Sequence, residues 1–156
     1  MKYQELKDGI QELDPDRQAL LTLLFFSGCR ISEALALTAN DITCSGEFIY
    51  VNFYRLKGSK QTDPQALPRK DALIWLCDQE GKIFDFCRTT AYRTVKKVFP
   101  NLYPHYYRLN RVTKTIEKFG AATVVNTLGL SLQAIQHYIG KIDISKVGES
   151  LKEEID

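Results

Sequence analysis

The sequence predicts an α+β fold, mainly helical, with one small antiparallel β-sheet. Apolar residues recur at helical spacing along most of the chain, as in Leu6, Ile10 and Leu13 or Leu109, Val112, Ile116 and Phe119. One stretch, Phe48 to Tyr54, is instead dense in aromatic and β-branched residues and follows a Ser-Gly turn. Asp14-Pro15, Gly28, Gly81 and Pro100 punctuate the rest as helix starts and stops.

Lys2 to Leu13 reads as a first helix with Leu6, Ile10 and Leu13 on one face. Asp14-Pro15-Asp16 opens a second, with Asp14 as N-cap, Pro15 at the first helical position and Asp16 favourable to the dipole. It carries Leu20, Leu21, Leu23, Leu24, Phe25 and Phe26, is apolar nearly all round, and so belongs at the centre of the fold. Gly28 ends it, where φ > 0 is needed. Arg30 then begins a helix that buries Ile31, Ala34, Leu35 and Leu37. An arginine between two apolar helices is costly unless it is paired or faces an anion. A surface pair with Glu33 would satisfy it, and so would a phosphate.

Ile42-Thr43 and Phe48 to Tyr54 read as strands around a Cys44-Ser45-Gly46 turn. Lys57-Gly58-Ser59-Lys60 is a second turn, and Gln65-Ala66-Leu67 a third strand. Lys70 to Glu80 is a helix with Ala72, Leu73, Trp75 and Leu76 inward and Gly81 as its cap. Arg88 to Phe99 is another, with Tyr92, Val95 and Phe99 on one face. After Pro104-His105-Tyr106-Tyr107-Arg108, residues sort at about 100° each. Leu109, Val112, Ile116 and Phe119 share one face, Arg111, Lys114 and Lys118 another, and Arg108 lies on the border. Core packing is the expected task of Tyr103, Tyr106 and Tyr107.

A chain of 156 residues, 44% hydrophobic and 26% charged, makes one globular domain rather than a disordered one. A net charge of +2 argues against strong general polyanion affinity and permits a local basic face. No apolar run is long enough to span a membrane and no signal segment is visible, so a cytoplasmic protein is expected. Cys29, Cys44, Cys77 and Cys87 form no Cys-x-x-Cys pair and read as free thiols of a reducing compartment, with no zinc site.

The run LLFFSGCRISEALALTANDI, residues 23–42, resembles the opening box of the tyrosine recombinase (phage integrase) catalytic domain. There the arginine after Ser-Gly or Thr-Gly is the first phosphate-binding residue, which implies that role for Arg30. Pro104-His105-Tyr106-Tyr107-Arg108 resembles the second box, with Tyr107 where an apolar residue is usual. The family's hairpin lysine matches Lys57, with Lys60 as the runner-up, although Thr62-Asp63-Pro64 lengthens the return strand. The resemblance runs from Leu13 to Lys152.

The last box fits in two registers. In one, Gly140-Lys141 stands for the family's Gly-His, and the nucleophile's place falls near Ser150. In the other, which we prefer, Leu128-Gly129-Leu130-Ser131 stands for Leu-Gly-His-Ser and Tyr138 is the nucleophile. The preferred register puts Gly129 21 residues after Arg108 (129 − 108), close to the family's usual gap; the other stretches that gap to 32 (140 − 108). Leu130 then occupies the place of a phosphate-binding histidine or tryptophan. It packs but donates no hydrogen bond, a loss of about 10²- to 10³-fold in rate. His137 is the candidate for a partial substitute.

The resemblance implies a site-specific DNA recombinase or integrase that cuts and rejoins DNA through a 3′-phosphotyrosyl bond. Tyr138 attacks phosphorus, Arg30 and Arg108 hold the non-bridging oxygens, Lys57 protonates the leaving 5′-oxygen, and His105 takes the tyrosine proton or adds a phosphate contact. The arginines stand in for the metal ion of many nucleases, so no cofactor and no metal is implied. Lys60, Arg111 and Lys114 are candidate DNA contacts. Expected partners are double-stranded DNA and further copies of the chain, a tetramer on DNA and a monomer without it, with no membrane. Residues 1–156 are expected to be the catalytic domain alone, without the core-binding domain that precedes it in the family, from a prokaryotic, viral or mobile-element source. A catalytically impaired DNA-binding relic of the same fold is the competing reading, and an unrelated helical interaction domain the third.

Overall fold

The computed structural model describes residues 1–55, 62–131, 133–135 and 151–152. The expected α+β architecture is present. Helices α1 (Tyr3–Ile10), α2 (Pro15–Ser27) and α3 (Ile31–Leu35) lead into a three-stranded sheet of β1 (Ile42–Ser45), β2 (Phe48–Val51) and β3 (Gln65–Pro68). Helices α4 (Asp71–Ile74), α5 (Arg88–Val98), α6 (Pro104–Phe119) and α7 (Ala121–Leu128) follow. Among the described residues, no helix is long and apolar enough to cross a membrane.

Helix α2 is the spine. Leu20, Leu21, Leu23 and Leu24 are all fully buried, each worth about 2 kcal/mol of transfer free energy. Helices α1, α4, α5 and α6 and strand β3 all pack against it. Pro15 sits at its first turn as expected, but the Asp14 side chain makes no cap bond and pairs with Arg17 at 3.3 Å instead.

The sheet is antiparallel throughout in the order β1-β2-β3. Ser45 pairs with Phe48, so Gly46-Glu47 is the two-residue turn, with Gly46 at φ 62°. Ile49 and Val51 face inward, and Phe53 and Arg55 continue that alternation beyond the strand, all buried.

Four expectations need correction. Cys44 and Cys77 are joined by a disulfide, with Cα atoms 6.2 Å apart. Their spacing in sequence carries no signal, because β1 and the 3₁₀ turn Trp75–Asp78 meet only in the fold. The helix read over residues 70–80 is one α turn, α4, followed by that 3₁₀ turn. Helix α5 buries Ala91, Thr94 and Val95, and turns Tyr92 outward. Helix α6 buries Pro104, Tyr107, Arg108 and Val112, while Leu109 and Phe119 are exposed. In both helices the angular sorting holds and its origin is rotated.

Buried apolar side chains form two clusters. The large one surrounds α2 and reaches Tyr107 on α6. The small one lies between α6 and α7 and consists of Val112, Val124, Leu128, Leu130 and Ile135.

Candidate active site

Gly28 positions the site. It ends α2 at φ 64°, and its N–H donates to the Leu24 carbonyl at 3.0 Å. A Cβ there would lie 2.6 Å from Arg111 Cβ, so both the left-handed backbone and the close approach of α6 require glycine. The Gly28 carbonyl accepts from Arg108 Nη1 at 2.8 Å, and the Leu128 carbonyl from Arg108 Nη2 at 3.1 Å. Arg108 thus spans the C-terminal ends of α2 and α7, where carbonyls carry partial negative charge. Its side chain is only 2% exposed.

Glu33 lies under the same turn. Its Oε1 accepts from the Arg30 N–H at 2.7 Å and from Arg55 Nη1 at 3.2 Å, with Arg108 Nη1 at 3.9 Å. Its Oε2 is 3.7 Å from Arg30 Nη1. The expected Arg30–Glu33 pair therefore exists, but Glu33 is buried rather than at the surface. A buried carboxylate is tolerated because it is paired and hydrogen-bonded. Among the described residues, this one carboxylate stands within 4 Å of three guanidinium groups.

Above this cluster opens a cleft of about 380 Å³. Arg30 from the α2–α3 turn, His105 and Arg108 from α6, Arg88 and Tyr92 from α5, and Tyr103 all line it. Tyr92 and Tyr103 stand with ring centroids 6.0 Å apart, and Lys96 Nζ lies 3.8 Å from the Tyr103 ring. Three of the five residues read as catalytic, Arg30, His105 and Arg108, are brought together here. Lys57 and Tyr138 lie outside the described residues, as do Lys60 and His137.

Arg111 and Lys114 have tasks in the fold. Arg111 donates to the Phe25 carbonyl through Nε and Nη2, at 3.3 and 3.1 Å, and Lys114 Nζ donates to the Met1 carbonyl at 3.2 Å. Both cations stand beside the Phe25 ring. Burial lowers the Arg111 pKa. Leu130 is buried in the small cluster. Gly129 adopts φ 72° and ends α7.

Two nucleophile types in the region are held inert. Burial pushes the Cys29 thiol up to about 12, with Glu33 adding to the rise and the Ser27 hydroxyl, Arg55 and Arg108 opposing it. Burial likewise raises the Tyr107 phenol, which has no hydrogen-bond partner among the described residues.

Sequence reading missed Arg55 and underrated Glu33, and both left signals. Arg55 falls on the inward alternation Ile49, Val51, Phe53, and Glu33 is the charged residue of Ile31–Leu35, beside the buried Ile31 and Ala34.

No protein-family model matches the sequence, and no curated protein matches it. Solved structures do. The XerH site-specific recombinase bound to difH substrate aligns with a TM-score of 0.78 and 18% identity, over 97% of this chain and 53% of that one. The XerA recombinase aligns at 0.63 and 16%, over 99% and 64%. The Tn1549 transposon integrase in complex with transposon right end DNA aligns at 0.66 and 13%, over 98% and 64%. The chain thus spans about half the length of the XerH protein it matches. Laid over these backbones almost end to end, it has the catalytic-domain fold of the tyrosine recombinases.

Proposed function

We propose that this chain is the catalytic domain of a site-specific DNA strand transferase. The observation that carries the reading is the convergence of Arg30, His105 and Arg108 on one cleft. A planar guanidinium pair suits the non-bridging oxygens of a phosphodiester. The XerH and Tn1549 structures hold DNA, which supports double-stranded DNA as the partner.

The reaction conserves bond energy. The Tyr138 oxygen forms a bond to phosphorus as the bond to the 5′-oxygen breaks. The electron pair goes to that oxygen with a proton from Lys57, and the tyrosine proton goes to His105. A 5′-hydroxyl then reverses the step on a new strand. Gly129 at the end of α7, with Leu130 buried just after it, supports the register in which Tyr138 is the nucleophile. Leucine at 130 lowers the rate by about 10²- to 10³-fold relative to a donor there. Assembly of a tetramer on DNA, a cytoplasmic location and further DNA contacts from Lys60 belong to the same reading.

A covalent trap tests it. The protein is mixed with supercoiled plasmid and with nicked duplexes, stopped with SDS, and scored for protein–DNA adducts beside Tyr138→Phe, Arg30→Ala and Arg108→Ala. An adduct lost in all three supports the reaction and the register. An adduct that survives Tyr138→Phe moves the nucleophile elsewhere. DNA binding that depends on Arg30, with no adduct, assigns the chain to the impaired relic.

A further inference from the structure

The cleft has two chemically different halves. One holds Arg30, His105 and Arg108. The other is aromatic: Tyr92 from the second turn of α5, and Tyr103 from the residue that caps α6. A core task would bury these rings, yet Tyr92 is 41% exposed and Tyr103 54%. Their centroids lie 6.0 Å apart and their planes meet at 51°. A flat group between two rings needs about 7 Å, twice the contact distance of carbon atoms. The pair is therefore a shelf and not a clamp. Its orientation is fixed from behind. Lys96, one turn after Tyr92 on α5, places Nζ 3.8 Å from the centre of the Tyr103 ring and donates to the Pro100 carbonyl at 2.6 Å. The ammonium covers one face of Tyr103 and leaves the other. The cleft, at about 380 Å³, falls in the size range of pockets that enclose a whole small molecule, far more room than a phosphate group fills. Exposed aromatic faces beside cations that track a backbone are the means by which proteins hold unstacked bases.

We propose that Tyr92 and Tyr103 form a nucleoside subsite, on which an unstacked base of a DNA strand rests while a phosphate of the same strand is held by Arg30 and Arg108. This rests on the reading of the guanidinium pair as the phosphate site. The subsite is tolerant of base identity, because stacking uses the face of the base and not its edge. It favours a strand that is unpaired or mismatched at that point, since a base in an intact duplex has first to leave its stack.

Oligomers with and without bases separate the two halves of the cleft. The probes are a labelled single strand of about eight thymidine nucleotides, within the span of one strand-binding fold, and a strand of the same length and charge whose sugars carry no base. Affinity is read by fluorescence anisotropy at low salt, where phosphate contacts are strongest. The wild type is compared with Tyr92→Leu, Tyr103→Leu, Tyr103→Phe and Arg30→Ala. The wild type is expected to bind the thymidine strand about tenfold or more tighter than the baseless strand, the scale of one stacked base. Each leucine variant is expected to lose most of that preference while binding the baseless strand as the wild type does. Tyr103→Phe keeps the ring and is expected to keep the preference. Arg30→Ala is expected to weaken both strands alike. Both tyrosines are exposed, and unchanged thermal unfolding of the leucine variants verifies that they fold. Equal binding of the two strands by the wild type overturns the subsite, and so does a preference that survives both leucine variants, or a leucine variant that weakens both strands equally. If the strands bind equally but still depend on Arg30, the shelf fails and the proposed function stands. Binding that ignores Arg30→Ala overturns both. A wild type that binds neither strand overturns the subsite and leaves the function to the covalent trap.

Discussion

The cluster around α2 and the cluster between α6 and α7 are held together on different terms. The first is apolar and deep, with four fully buried leucines on one helix and rings from Tyr3, Phe25 and Phe26 against them. The second has five buried apolar side chains and is joined to the rest by polar bonds: Arg108 to the Leu128 carbonyl, and Arg55 and Gln65 to the Thr127 carbonyl. Arg30 and Glu33 border the first region, and Leu130 and Ile135 belong to the second. The cleft lined by Arg30 and Arg108 therefore sits beside a seam between rigid apolar packing and a small cluster tied by hydrogen bonds. Regions poor in buried apolar contacts open at lower free energy than the global transition, so the second cluster is expected to open first.

The largest effect that can break this comparison is expected in α2. Leu24→Ala should cost about 4 kcal/mol in a denaturant melt, and Val124→Ala in α7 about 1–2 kcal/mol. Equal costs would erase the distinction. Glu33→Gln should cost about 3 kcal/mol, since it leaves buried guanidinium groups short of a counter-charge. Native-state hydrogen exchange should show α7 amides released well before those of α2 in that variant, and uniform release would mean that the seam is no boundary. Gly28→Ala should cost about 2 kcal/mol from backbone strain and the clash with Arg111, read by thermal unfolding. The smallest perturbation is chemical labelling. Backbone N–H groups at the start of α5, that of Thr90 foremost, lower the pKa of exposed Cys87, whereas Cys29 is pushed up to about 12. As pH rises from 6, Cys87 should reach its alkylation plateau earlier than an ordinary thiol, because a lowered pKa fills the thiolate at lower pH. Cys29 should label only on opening of the first cluster, and labelling at the Cys87 rate would contradict its burial.

Much of the site was legible because its parts lie close together in sequence. Gly28 and Arg30 share a turn, and His105 and Arg108 share one helical face, so local rules reach them. The rest depended on contacts between distant segments. Periodicity fixes the angles between residues on a helix but leaves the helix free to rotate, which is why Leu109 and Tyr92 were turned the wrong way. The buried stripe of α6 runs through Pro104, Tyr107, Arg108 and Val112; Tyr107 read as core, but an arginine does not. Arg55 was overlooked because its partners Glu33 and Thr127 are 22 and 72 residues away. The disulfide escaped for the same reason, its cysteines being 33 residues apart.

Arg108 is held by the main-chain carbonyls of Gly28 and Leu128, and Arg55 by that of Thr127. A carbonyl is present whatever the side chain, so replacing Leu128 or Thr127 leaves the acceptor in place as long as the helix ends at the same point. These three bonds are thus inherited with the path of the chain, whereas the pairing of both arginines with Glu33 is not. Bonds of this kind tolerate wide drift in sequence, such as separates this chain, which no family model matches, from a recombinase aligned at a TM-score of 0.78 with 18% identity.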